Sequence, residues 1–131
     1  MSVHLFAFTG AGGSGSTPPA VTRSALAIDA GAVAIPLDAM VHALQLSEDV
    51  STVTANGADS PAETVYAAEV EITAPAAGGP FTLTLPAGWA QFGGAGATLA
   101  LSAGDPPALL SLRTLADGTV AYSMTQAEAP V

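Results

Sequence analysis

The chain has no cysteine, no lysine and few aromatic residues. Without cysteine there are no disulfides and no thiolate metal sites, and the redox compartment leaves no trace. Arg23 and Arg113 are the only strong cations against eleven Asp and Glu, a net charge of −9. Nucleic-acid binding needs Lys and Arg to neutralise phosphates, so this composition argues against it. It argues equally against an anionic bilayer surface. A Walker-type phosphate loop is excluded because its lysine is missing. Charged residues make up 10% of the chain, whereas soluble domains carry roughly 25%. Half the residues are nonetheless hydrophobic, which is not the composition of a disordered chain.

What is present reads as β-structure. At 131 residues the chain is long enough for one core and too short for two. Phe81, Leu83 and Leu85 alternate with Thr82 and Thr84, the period of a half-buried strand. Leu99 and Leu101 repeat the pattern, as do Val120, Tyr122 and Met124. Tyr66, Ala68, Val70 and Ile72 face one way and Glu69 and Glu71 the other, giving a strand with one wet face. Further strands are expected over residues 3–8, 20–28, 32–37, 50–54 and 109–115. Residues 38–46 fit both helical and alternating spacing, and strand is the preferred reading. Between these runs stand Pro86-Ala87-Gly88, Gly93-Gly94-Ala95-Gly96, Gly104-Asp105-Pro106-Pro107 and Asp117-Gly118, each a chain reversal. Asp117-Gly118 is the strongest hairpin signal. The expected fold is therefore an all-β, antiparallel β-sandwich or jelly-roll-like single domain of about eight strands. It spans residues 20–131 and is preceded by an N-terminal arm, residues 1–19.

That arm contains Gly10-Ala11-Gly12-Gly13-Ser14-Gly15, which matches the dinucleotide fingerprint G-x-G-x-x-G. The fingerprint works only if a helix opens at its last glycine, presenting its N-terminus to a pyrophosphate. Here Ser16-Thr17-Pro18-Pro19 follows, and the second proline forces the first out of the helical region. The segment reads as a linker, flexible and then extended. Residues 3–8 form an apolar run too short for a signal peptide or a bilayer span.

Candidate chemistry is sparse. His4 and His42 are isolated in apolar sequence, without the paired spacing of a metal site. A Ser-His-Asp arrangement can assemble in space from distant residues, but no G-x-S-x-G elbow is present. Glu69 and Glu71 share a strand face, which reads as a solvated face before it reads as a calcium site. Trp89 and Phe92 are expected to fold back onto the sandwich edge as loop anchors. No cofactor, no metal and no catalytic residue is expected.

The order of these motifs carries a resemblance. His42-Ala43-Leu44-Gln45-Leu46, Asn56-Gly57 and the strand at 65–73 precede Phe81-Thr82-Leu83-Thr84-Leu85-Pro86-Ala87-Gly88-Trp89. Gly93-Gly94-Ala95, the strands at 99–104 and 109–115, Asp117-Gly118-Thr119 and Tyr122 follow. Residues 32–126 thereby resemble the small β-sandwich modules of tailed-bacteriophage structural proteins. The resemblance implies a non-enzymatic virion protein. A stand-alone module with an arm is most similar to a capsid decoration (cement) protein, commonly a homotrimer, which bridges major capsid subunits. A tail or fibre component contacting the host surface, or a bacterial carbohydrate-binding sandwich, is the alternative. A weakly charged exterior agrees with burial against neighbouring subunits, although an Ala/Gly-rich composition bias would produce it too. The residues expected to contact partners are Val3, Leu5, Phe6, Phe8, Pro18 and Pro19 in the arm, with Trp89 and Phe92 at the sandwich edge.

Overall fold

A computed structural model of the chain describes residues 22–56, 64–94 and 96–128. The arm, with its expected strand at 3–8, lies outside these residues. Every regular element among the described residues is a strand, so the expected all-β class holds. In chain order they are β1 (Ser24–Ala25), β2 (Ala32–Pro36), β3 (Val41–Gln45), β4 (Thr52–Asn56) and β5 (Ala67–Thr73). They continue with β6 (Phe81–Thr84), β7 (Ala90–Gly94), β8 (Thr98–Leu101), β9 (Ala108–Thr114) and β10 (Val120–Gln126). The ambiguous stretch at 38–46 resolves as a strand, β3. Of the strand expected at 20–28, residues 20–21 lie outside the described residues and the rest shortens to Ser24–Ala25, followed by a bond from Leu26 N to Ala43 O.

The strands form two layers. One is a six-stranded sheet in the order β1-β3-β5-β9-β10-β7. The other contains the pairs β2-β4 and β6-β8, stitched together at Val50. Val50 N donates to Thr82 O and Thr84 N donates to Val50 O, at 2.8 and 3.0 Å. On its other side the same segment reaches Gly31 O through Ser51 N and Thr52 N. The second layer thus runs β2-β4-β6-β8.

From β1 to β9 the chain changes layer at every step, because odd-numbered strands lie in the first sheet and even-numbered ones in the second. From β1 to β5 each strand that returns to its own layer after two crossings points the same way as before and pairs in parallel, whereas β8 returns beside β6 reversed. This corrects the antiparallel expectation. β1-β3, β3-β5, β2-β4 and β7-β10 are parallel, while β5-β9, β9-β10 and β6-β8 are antiparallel. Tight corners make the crossings. Ala30 and Gly31 (φ 51° and 79°) turn the chain into β2, and Ala39 (φ 65°) turns it into β3.

Period-two alternation puts one side of most strands into a shared core, while the edge strands β1 and β7 bury no residue. His42, Leu44, Ala68, Val70, Ile72, Leu110, Leu112, Tyr122 and Met124 point inward from the six-stranded sheet. Val33, Ile35, Val53, Leu83, Leu99 and Leu101 meet them from the second layer. Each such aliphatic side chain contributes about 1.5–3 kcal/mol by leaving water. Only β9 and β10 are consecutive strands that pair, and they close the expected hairpin. Its loop is three residues rather than two. Gly118 N donates to Leu115 O, Leu115 N donates to Thr119 O, and Gly118 (φ 87°) supplies the left-handed residue that ends such a loop.

Candidate interaction face

Four aspartates serve as backbone acceptors at the turns. Asp38 Oδ1 accepts from Met40 N at 3.2 Å, and Asp49 Oδ1 from Thr82 N at 2.9 Å. Asp105 Oδ2 accepts from Ser102 N at 2.7 Å, and Asp117 Oδ1 from Thr119 N at 3.0 Å. The Thr119 hydrogen bond lowers the Asp117 carboxyl below its ordinary range, because it favours the ionised form. These carboxylates fix corners.

His42 follows the same logic. Its ring is 2% exposed, its Nε2 lies 2.9 Å from Asp38 Oδ1, and its Nδ1 is buried without a hydrogen-bond partner. Among the described residues no hydroxyl hydrogen-bonds its ring. The pair braces the β2–β3 corner from inside the core. Among the described residues no group of three or more His, Cys, Asp or Glu is arranged to hold a metal ion. His4 lies outside the described residues.

The outer face of the six-stranded sheet is different. Alternation places Leu109, Ser111 and Arg113 of β9 there, opposite Leu110, Leu112 and Thr114 in the core. Register then aligns three rows across the strands. Ala67, Arg113, Ala121 and Ala90 form the first, and Val41, Glu69, Ser111 and Ser123 the second. Ala43, Glu71, Leu109 and Thr125 form the third. Small residues in the first two rows leave an open groove of about 250 Å³ beside Phe92, Arg113 and Leu115. A second depression of about 310 Å³ lies at Glu71, Leu109 and Thr125. Leu109 is 53% exposed and Phe92 63%, so both present large apolar groups to solvent on this face.

Both cations of the chain reach it. Arg23 Nε donates to Glu71 Oε1 at 2.7 Å, which raises the arginine's already high pKa. Arg113 Nε is buried and has no hydrogen-bond partner.

The two aromatic residues expected at the edge part company. Trp89 packs against the core, its ring centroid 6.3 Å from that of Tyr122 at a tilt of 53°, and so serves as the expected anchor. Phe92 does not fold back. β7 is an edge strand, and the position of Phe92 in the same parity as Ala90 turns its ring outward. Of the other residues expected to touch partners, Val3, Leu5, Phe6, Phe8, Pro18 and Pro19 lie outside the described residues. Leu109, Ser111, Arg113 and Ser123 were not singled out from sequence. Their signal was the alternation in Ala108-Leu109-Leu110-Ser111-Leu112-Arg113-Thr114, whose odd positions carry the non-core face. No family model matches the chain, and no curated protein and no solved structure matches it.

Proposed function

We propose that this chain is a non-enzymatic structural protein that works by being covered, as a component of a larger protein assembly. The observation that carries the reading is the outer face of the six-stranded sheet, where Phe92 and Leu109 stand exposed around two shallow grooves. Contacts of that kind mark protein-binding surfaces more often than reaction sites. The carboxylates committed to turns and the buried His42 agree with it.

The resemblance of residues 32–126 to tailed-phage modules places the assembly, in this proposal, in a virion. A capsid decoration protein bridging major capsid subunits is the reading preferred. Such proteins act through many weak contacts, and repetition around a shell multiplies their effect. An antibody against the chain tests this on purified phage particles from the source cells. Label distributed over the heads is the expected result. Label confined to tails transfers the proposal to a tail or fibre component, and particles without label overturn both. A sugar-binding role has less support, because Trp89 is committed to Tyr122 and leaves Phe92 as the single exposed ring of the described edge.

A further inference from the structure

We propose that two copies of this chain pair face to face through the outer face of the six-stranded sheet. The proposal rests on the assembly reading above and supplies its homotypic contact.

Charge distribution carries it. The chain has a net charge of −9, yet this face is balanced, with Arg23 and Arg113 against Glu69 and Glu71. The other described carboxylates, Asp29, Asp38, Glu48, Asp49, Asp105, Asp117 and Glu128, sit in connections or beyond β10. Two copies approaching by their rims therefore bring like charges together, which costs several kcal/mol in close interfaces. Approach by this face does not.

The arrangement is also self-complementary. Acidic Glu69 and Glu71 lie on β5, and basic Arg113 lies on the adjacent β9. A two-fold axis along the strands between β5 and β9 lays β5 of each copy over β9 of the other. Glu69 of one copy then lies across from Ser111 of the second, one row from its Arg113, and the two-fold repeats this diagonal pairing, as an isologous interface requires. Arg113 Nε now lacks any acceptor. A buried donor in that state gains when a carboxylate arrives and the side chain re-aims towards it. Leu109 and Phe92 add exposed apolar area at either side.

The size suffices. Six strands spaced roughly 4.8 Å apart, with central strands of seven residues at roughly 3.4 Å each, give a face of roughly 600 Å² in projection. Side-chain relief raises the accessible area towards the roughly 800 Å² per partner of a standard interface.

Sedimentation equilibrium of the full chain tests the proposal. The expected smallest assembly is a dimer, weakened at least about tenfold by Arg113→Glu and by Leu109→Glu, with circular dichroism confirming that both variants fold. Mixing Arg113→Glu with Glu69→Arg should restore a heterodimer, an outcome that lost packing alone does not produce. A dimer indifferent to these substitutions, or a trimer as the smallest species, overturns this interface while leaving the assembly reading to the particle labelling. A monomer at about 100 μM, well above the micromolar range of specific pairs, overturns the pairing itself.

Discussion

Replacing Gly94 by alanine isolates what holds β7 against the sheet, with Gly118→Ala as its control. Both glycines have left-handed backbones, at φ 91° and 87°. Alanine in that region costs roughly 1–2 kcal/mol, and the stiffer unfolded chain returns about 0.4–1 kcal/mol. A Cβ on Gly118 meets nothing within 4 Å, so the expected net loss there is about 1 kcal/mol. A Cβ on Gly94 runs into the backbone of Met124, carbonyl oxygen first. Met124 belongs to β10 and is locked to β9 through Leu110, so it cannot retreat. β7 must move instead and give up its pairing around Tyr122 and Met124. Two ladder bonds at about 1 kcal/mol each bring the loss at Gly94 to about 3 kcal/mol, a large share of the 5–15 kcal/mol by which domains are stable. Urea unfolding followed by circular dichroism measures both, read from the midpoint at constant slope. Thermal midpoints should fall by about 3–5 °C for Gly118→Ala and about 10–15 °C for Gly94→Ala. Losses equal within about 0.5 kcal/mol, the usual scatter between independent sites, would refute the claim that close approach to β10 is what demands glycine.

Two further outcomes follow from single contacts. Trp89→Ala should cost about 2–3 kcal/mol, because a partly buried indole leaves the core and Tyr122 loses its ring neighbour. As the one tryptophan, it should also report the same unfolding midpoint by fluorescence as the backbone does by circular dichroism. Asp117 has a folded-state pKa below its unfolded value, so its contribution is complete above the unfolded value and disappears as pH falls through the folded one. Thermal melts taken down through the carboxylate range should show that loss in the wild type and not in Asp117→Ala.

Strand positions were legible in the sequence because burial on one face writes a period of two. Phe81, Leu83, Leu99, Leu101, Val120, Tyr122 and Met124 all took the orientation their alternation predicts, apart from Phe81, which is only half-buried. Beyond the β9-β10 hairpin, partner strands were not legible. Gly, Asp and Pro announce a corner, but the corner at Asp38-Ala39 and the one at Asp117-Gly118 use similar residues to different ends. The first sends the chain into the opposite layer, and the second folds it back beside itself. Nothing local separates the two, so an antiparallel sandwich or jelly roll was the natural expectation and a layer-crossing path with mixed pairing was the result. The outer face was half legible. Glu69 and Glu71 were assigned to a wet face, while the meeting of Arg113 with Ser111, Ser123 and Phe92 depends on the β9-β10-β7 register, which no single segment encodes. Phe92 was misjudged because an aromatic near a glycine corner was read as an anchor, and Trp89 had already taken that place.

The layer-crossing path also governs how this molecule comes into being. His42 lies opposite Ser24, Thr52 opposite Ala32 and Glu69 opposite Val41, so no rung of those ladders joins residues near in sequence. A nascent chain cannot zip such rungs one by one from a tight turn; it must first wrap, closing each loop before any bond rewards it. Only the last two strands can form early and on their own. Maturation should accordingly be slow, on the millisecond-to-second scale of chains dominated by distant contacts, and should begin from the C-terminal end.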